Sequence, residues 1–140
     1  MPERKVSKTS RRGQQAPIDT SFGHLQPQAI DIEKVVLGAL MIDKDAFTVV
    51  SEIIKPETFY EARHQKIYEA VQSLNLQEKP VDIMTVTEEL RHKGTLEEVG
   101  GPSYIVELSS QVASSAHIEY HAHILAQKFL ARQLIQFASM

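Results

Sequence analysis

The stretch Val81–Leu108, VDIMTVTEELRHKGTLEEVGGPSYIVEL, constrains the fold more than any other part of this chain. Asp82 precedes an apolar repeat at Ile83, Val86 and Leu90, which are spaced i, i+3 and i+7. That spacing lines one face of a helix. The Asp82 carboxylate can accept from the free N–H groups of the first turn, so it suits an N-cap. Thr87, Glu88, Glu89, Arg91 and Lys93 are left to face water. Gly94 follows His92 and Lys93, and glycine takes the left-handed conformation that ends a helix. Leu96–Val99 has room for one turn. Gly100-Gly101-Pro102 forbids regular helix across it, and Pro102 can open the next helix, with Tyr104, Ile105 and Leu108 as its apolar positions. Helix, break and helix within so few residues describe a packing unit.

The same period recurs elsewhere. Ile32, Val36, Ala39 and Leu40 form a stripe in a helix that Pro27 marks as starting. Gly38 inside it costs roughly 1 kcal/mol against alanine, and so marks a close helix–helix crossing. Ala46, Val49, Val50 and Ile53 predict a second helix, ended by Lys55-Pro56. Ile67, Ala70, Val71 and Leu74 predict a third, before a loop over Gln77–Pro80. No alternating pattern competes over comparable lengths. The expectation is an all-α, compact bundle of about six helices.

Chemistry is conspicuous by its absence. The chain has no cysteine, which excludes a disulfide scaffold, a thiolate metal site and a Cys nucleophile. No GxxxxGK[ST] run is present to supply the backbone donors, lysine and hydroxyl that hold a nucleotide. Lys93 precedes Gly94 in the wrong order, and Pro102 follows Gly100-Gly101. His117 and His121 share the i, i+4 spacing of a zinc pair, but Glu119 is misplaced for HExxH and no third ligand is evident. The pairs Glu88-Glu89 and Glu97-Glu98 are neighbours that point apart on a helix, so they read as solvated charge. Tyr60, Tyr68 and Tyr104 could stack on single-stranded nucleic acid, but core packing fits their spacing better. The expected sites are therefore none catalytic, none for a cofactor and none for a metal.

Charge divides the chain. Residues 1–26 carry five basic side chains against Glu3 and Asp19, a net of +3. Against a total of −3, that leaves −6 for residues 27–140. An acidic body argues against a general DNA-binding surface. The basic, polar tail lacks periodicity and is expected to be disordered. No apolar run approaches the roughly 20 residues that span a bilayer, and no secretory signal core is present. The expectation is a soluble, cytoplasmic protein without membrane partners.

Several short motifs occur in a family order. PQAIDIEKVVLGALMID (Pro27–Asp43) is followed by Phe59, Tyr60, His64 and Tyr68. Then come Pro80, Val81, Asp82, Thr85 and Val86, and finally Gly100, Gly101 and Tyr104. Each is weak alone, but their order and spacing over Pro27 to about Met140 resemble the N-terminal domain of the DnaB family of bacterial replicative helicases. One departure is VASSAHIEY (Val112–Tyr120), where Ala113 and His117 stand in place of the usual proline and asparagine. Ser114 or Ser115 is left to cap the helix that follows.

The resemblance implies a division into a tail at 1–26, a globular domain at 27–112 and, at 113–140, the first arm of a helical hairpin used for self-association. The apolar positions Ile118, Ala122, Leu125, Phe129, Leu130, Leu134, Ile135 and Phe137 exceed one core-facing stripe. No cap precedes Met140, so the helix reads as cut, with the second arm, linker and RecA-like ATPase domain expected beyond it. The implied function is the collar of a hexameric, ATP-dependent helicase, a trimer of dimers that organises the ring and recruits the C-terminal helicase-binding domain of primase. A helicase loader, and DNA through the ring, are further implied partners. ATP and Mg would serve the missing domain, so this chain is expected to be non-catalytic. Tyr104, Ile118, Leu125, Phe129, Leu134 and Ile135 are the candidate partner-binding or self-association residues; the alternative, that most of them are intradomain core and that the helix packs on the globular part, stays open. Two alternatives stay open: a small helical nucleic-acid-binding module using the basic tail, and a primase-type helicase-binding domain.

Overall fold

The computed structural model describes residues 20–139, with side chains described from Ala29 onward. These residues form six α-helices and no strand. They are α1 (Thr20–Ile42), α2 (Ala46–Val50), α3 (Ala62–Leu76), α4 (Ile83–His92), α5 (Gly101–Ser110) and α6 (Ile118–Ala138). A 3₁₀ turn, Pro56–Thr58, joins α2 to α3. The all-α expectation holds. Helix α1 packs against α2, α3, α5 and α6, while α4 lies across α3 and α5.

The longer helices bury most of the stripe that their spacing demands. Val36, Ala39 and Leu40 of α1 are buried, as are Ile67, Ala70, Val71 and Leu74 of α3. Val86 and Leu90 of α4 are fully buried, each worth about 2 kcal/mol of transfer free energy. Asp82 caps α4 as its position predicts. Its carboxylate accepts from the Thr85 N–H at 2.9 Å, and the Thr85 hydroxyl oxygen accepts from the Asp82 N–H at 2.9 Å. Asp82→Ala should therefore cost about 1 kcal/mol of unfolding free energy, measurable by urea denaturation with an unchanged slope. The break between α4 and α5 is built by two consecutive glycines with positive φ, Gly100 at 118° and Gly101 at 76°. A Cβ on Gly100 would also come within 2.8 Å of the Tyr104 Cβ. Gly38 marks a close crossing as expected: α1 meets the end of α5 there, with the Val112 side chain 2.6 Å from where a Cβ would stand.

Four details depart from the expectations. Helix α1 begins at Thr20, not at Pro27, so residues 20–26 are helical. The remainder of the expected tail, residues 1–19, lies outside the described residues. Val49 of the short helix α2 is exposed, because α2 ends at Val50 and only one side of so short a helix meets the core. Neither Ser114 nor Ser115 caps α6, whose N-cap residue is His117 without a side-chain bond. Ser115 donates instead to Asp43 Oδ2 at 2.5 Å, and this bond is the main cause that holds the Asp43 carboxyl below its usual range. Finally, the globular body does not stop at residue 112. Ile118, Ala122 and Leu125 of α6 belong to the same core as α1.

Candidate partner interface

Helix α6 changes character along its length. Ile118, Ala122 and Leu125, spaced i, i+4 and i+7, are its core-facing stripe and are buried against the body. Ala126 and Phe129 are half-buried. From Gln133 to Ser139 every residue is exposed, the large apolar side chains Leu134, Ile135 and Phe137 included. Leu130 joins them at 55% exposure. Single exposed apolar residues are ordinary, but four within two turns of one helix mark a surface that gains from being covered.

The structure divides the six candidate binding residues. Leu134 and Ile135 lie on this bare surface, and Phe129 sits at its root. Tyr104, Ile118 and Leu125 do not: they are 6%, 8% and 1% exposed. Ile118 and Leu125 form the stripe by which α6 holds the body, and Tyr104 is enclosed by polar and aromatic neighbours. The apolar excess over one stripe lies mostly after Leu125, with exposed Tyr120 ahead of it.

Tyr104 is part of a buried polar cluster that the sequence reading missed. His64 on α3 and Glu33 on α1 are both fully buried. His64 Nδ1 lies 2.7 Å from Glu33 Oε1, and Nε2 lies 2.6 Å from the Tyr104 hydroxyl. The same Glu33 carboxylate accepts from the backbone N–H of Tyr60 and, at 3.3 Å, from that of Glu61. A carboxylate only accepts, so Nδ1 carries the hydrogen of the imidazole–carboxylate bond. The His64 and Tyr104 rings stack at 7° with centroids 5.9 Å apart, and the Arg63 guanidinium covers Tyr104 at 3.9 Å. Burial pushes the Tyr104 hydroxyl up to about 12. Acid, imidazole and hydroxyl in a row suggest a catalytic relay, but full enclosure leaves no path for a substrate. The cluster ties α1, α3 and α5 together and pins the loop at Tyr60–Glu61. A signal for Glu33 did exist: it falls i+4 from Ala29 and i−4 from Leu37, inside the apolar stripe of α1.

That pinned loop meets α6. Arg132 Nη2 donates to the Thr58 carbonyl at 3.0 Å, and its guanidinium lies 5.2 Å from the Tyr60 ring centroid and 5.7 Å from that of Phe129. Of the three tyrosines weighed as stacking platforms, Tyr68 and Tyr104 are core residues and only Tyr60 is exposed. Tyr68 donates to the Ile54 carbonyl at 3.1 Å and packs against Phe47 and Phe59. Among the described residues no group of three His, Asp or Glu side chains is placed to hold a metal. No helix among them is long and apolar enough to cross a membrane.

Comparison with known proteins agrees with this architecture. The profile of the DnaB-like helicase N terminal domain family matches residues 25–127. The replicative DNA helicase DnaB of Rhodothermus marinus is 45% identical over 123 residues, 88% of this chain and 13% of that protein. The replicative DNA helicase DnaC of Bacillus subtilis (strain 168) is 44% identical over 115 residues, 82% of this chain and 25% of that protein. The chain thus spans a quarter or less of the length of these relatives. Among solved structures, the N-terminal domain of DnaB helicase from Mycobacterium tuberculosis superimposes with a TM-score of 0.78 at 37% identity, covering 81% of this chain and 83% of that one. A DnaB-like replicative helicase, described with its interactions with primase, matches with a TM-score of 0.66 at 28% identity over 77% of this chain and 25% of that one. This chain belongs to the DnaB-like helicase N-terminal domain family.

Proposed function

We propose that this domain is the collar of a hexameric replicative DNA helicase and that it works by recognition, not chemistry. The observation that carries the reading is the second half of α6, a helix that displays Leu130, Leu134, Ile135 and Phe137 to solvent. Leu130, Leu134 and Phe137, spaced i, i+4 and i+7, share a face that fits a second arm of a helical hairpin, through which copies of the domain pair into a trimer of dimers. The same region is offered to the C-terminal helicase-binding domain of primase, a reading supported by the relative described with primase. A helicase loader, and DNA passing through the ring, complete the partners. ATP-driven unwinding, with ATP and Mg, belongs to a RecA-like domain of the longer protein, and the setting is the cytoplasm. The enclosed Glu33–His64–Tyr104 cluster supports the non-catalytic role, because its polar atoms are spent on each other.

The test is the double variant Leu134→Asp, Ile135→Asp. Both side chains are exposed, so unfolding free energy should change by no more than about 0.5 kcal/mol. Association of the longer protein, or titration with the primase domain, should weaken by roughly 30-fold or more, the scale of losing a hot spot. Unchanged sedimentation and unchanged primase affinity together would remove this face from the interface. Phe129 is a poorer probe, since it is half-buried beneath Arg132.

A further inference from the structure

We infer that Arg132 is a positioning residue: it latches α6 onto the 3₁₀ turn and the loop after it, and sets the direction in which the bare half of the helix leaves the body. Leu125 is the last fully buried side chain of α6. Some 20 Å of helix follows it at 1.5 Å per residue, so a tilt of about 20° at Leu125 would swing the far end by roughly 7 Å. Half-buried Phe129 resists tilting only weakly. Among the described residues, Arg132 is the last α6 side chain with a hydrogen bond to the body.

The seat it occupies is stiff on both sides. Thr58 is buried, and its hydroxyl oxygen accepts from the Lys55 N–H at 3.0 Å, closing the turn whose carbonyl Arg132 reaches. Tyr60 and Glu61 are held through their N–H groups by Glu33, which His64 holds in turn. A guanidinium suits this seat better than an ammonium. Its planar fork can donate to the Thr58 carbonyl while its face lies against an aromatic ring. The contacts thus run unbroken from the buried Glu33–His64 pair, through the Tyr60 backbone and ring, to Arg132 and the helix. The consequence for collar geometry rests on the assembly reading above; the latch itself does not, because it is a property of a single chain.

Distance measurement between two spin labels tests it. The chain has no cysteine, so Glu52→Cys and Ala138→Cys at exposed positions give two unique label sites. Labelled protein is diluted into unlabelled protein, so that only distances within one chain are read. With Arg132 intact a single narrow distribution is expected. Arg132→Ala should broaden it and shift its mean, and Arg132→Lys should restore it only in part. Tyr60→Ala removes the ring but leaves the backbone bond to Glu33, and should broaden it as well. Helicity by circular dichroism is read alongside; if Arg132→Ala loses it, Tyr60→Ala and Arg132→Lys decide. A distribution that stays narrow in those variants overturns the latch, whatever the Leu134, Ile135 variant shows about assembly.

Discussion

Gly38→Ala should lower the unfolding free energy by about 3 kcal/mol, although alanine is the better helix former. In an open helix the exchange would stabilise by roughly 1 kcal/mol. Here the added methyl would fall within contact of the Leu108 carbonyl oxygen and 2.6 Å from Val112 Cγ2. The valine methyl can move aside, but the carbonyl belongs to the backbone of α5 and cannot move without shifting the helix. Overpacking of this kind costs about 1–3 kcal/mol, and a backbone collision belongs at the upper end. Urea denaturation should show the midpoint falling with an unchanged slope. Adding Val112→Ala should recover only part of the loss. A stabilised Gly38→Ala protein would mean that α1 and α5 do not approach as closely as described.

The second large effect concerns Glu33. Glu33→Ala should cost about 3–5 kcal/mol, because removing one member of a buried pair strands the other without compensation. The His64 Nδ1 hydrogen and the N–H groups of Tyr60 and Glu61 all lose their acceptor at once. Glu33→Gln keeps the shape and an acceptor oxygen, and should cost clearly less. His64→Ala added to Glu33→Ala should fall well short of additivity, as members of one network do. Denaturation of the two single variants and the double variant closes the cycle. A cost below about 1 kcal/mol for Glu33→Ala would show that the pair is incidental to stability.

These two sites mark how far the sequence could be read. Helix periodicity located the core of α1, α3, α4 and α5, since buried stripes at i, i+3 and i+4 leave a pattern in any single chain. Asp82 and the Gly100-Gly101-Pro102 break were legible because caps and positive φ values demand particular residue types. Gly38 was legible as an anomaly. The start of α1 was not, since Pro27, a residue suited to a helix's first turn, lies inside the helix. Glu33 escaped notice, and His64 was read only as a family position, because their meaning lies in a contact 31 residues apart along the chain; only the acid within an apolar stripe hinted at it. Tyr104, Ile118 and Leu125 looked like interface candidates because apolar excess does not say which residues form the surplus. That needs the packing of α6 on the body, which places most of the surplus after Leu125. Arg132 carried no signal in the sequence, being one cation among others on a helix.

The division of α6 at Leu125 also has a thermodynamic meaning. Short helical segments in water are marginal, because the first turn fixes several residues for one hydrogen bond; a helix already begun on a packed body extends without that cost. The first half of α6 shares the stability of the core, so its amides open only when the whole domain opens. The last turns have no such packing and rest on helix propagation and on the Arg132 bond. Covering Leu134, Ile135 and Phe137 therefore does two things at once: it buries apolar area, and it adds packing to turns that otherwise rest on helix hydrogen bonds.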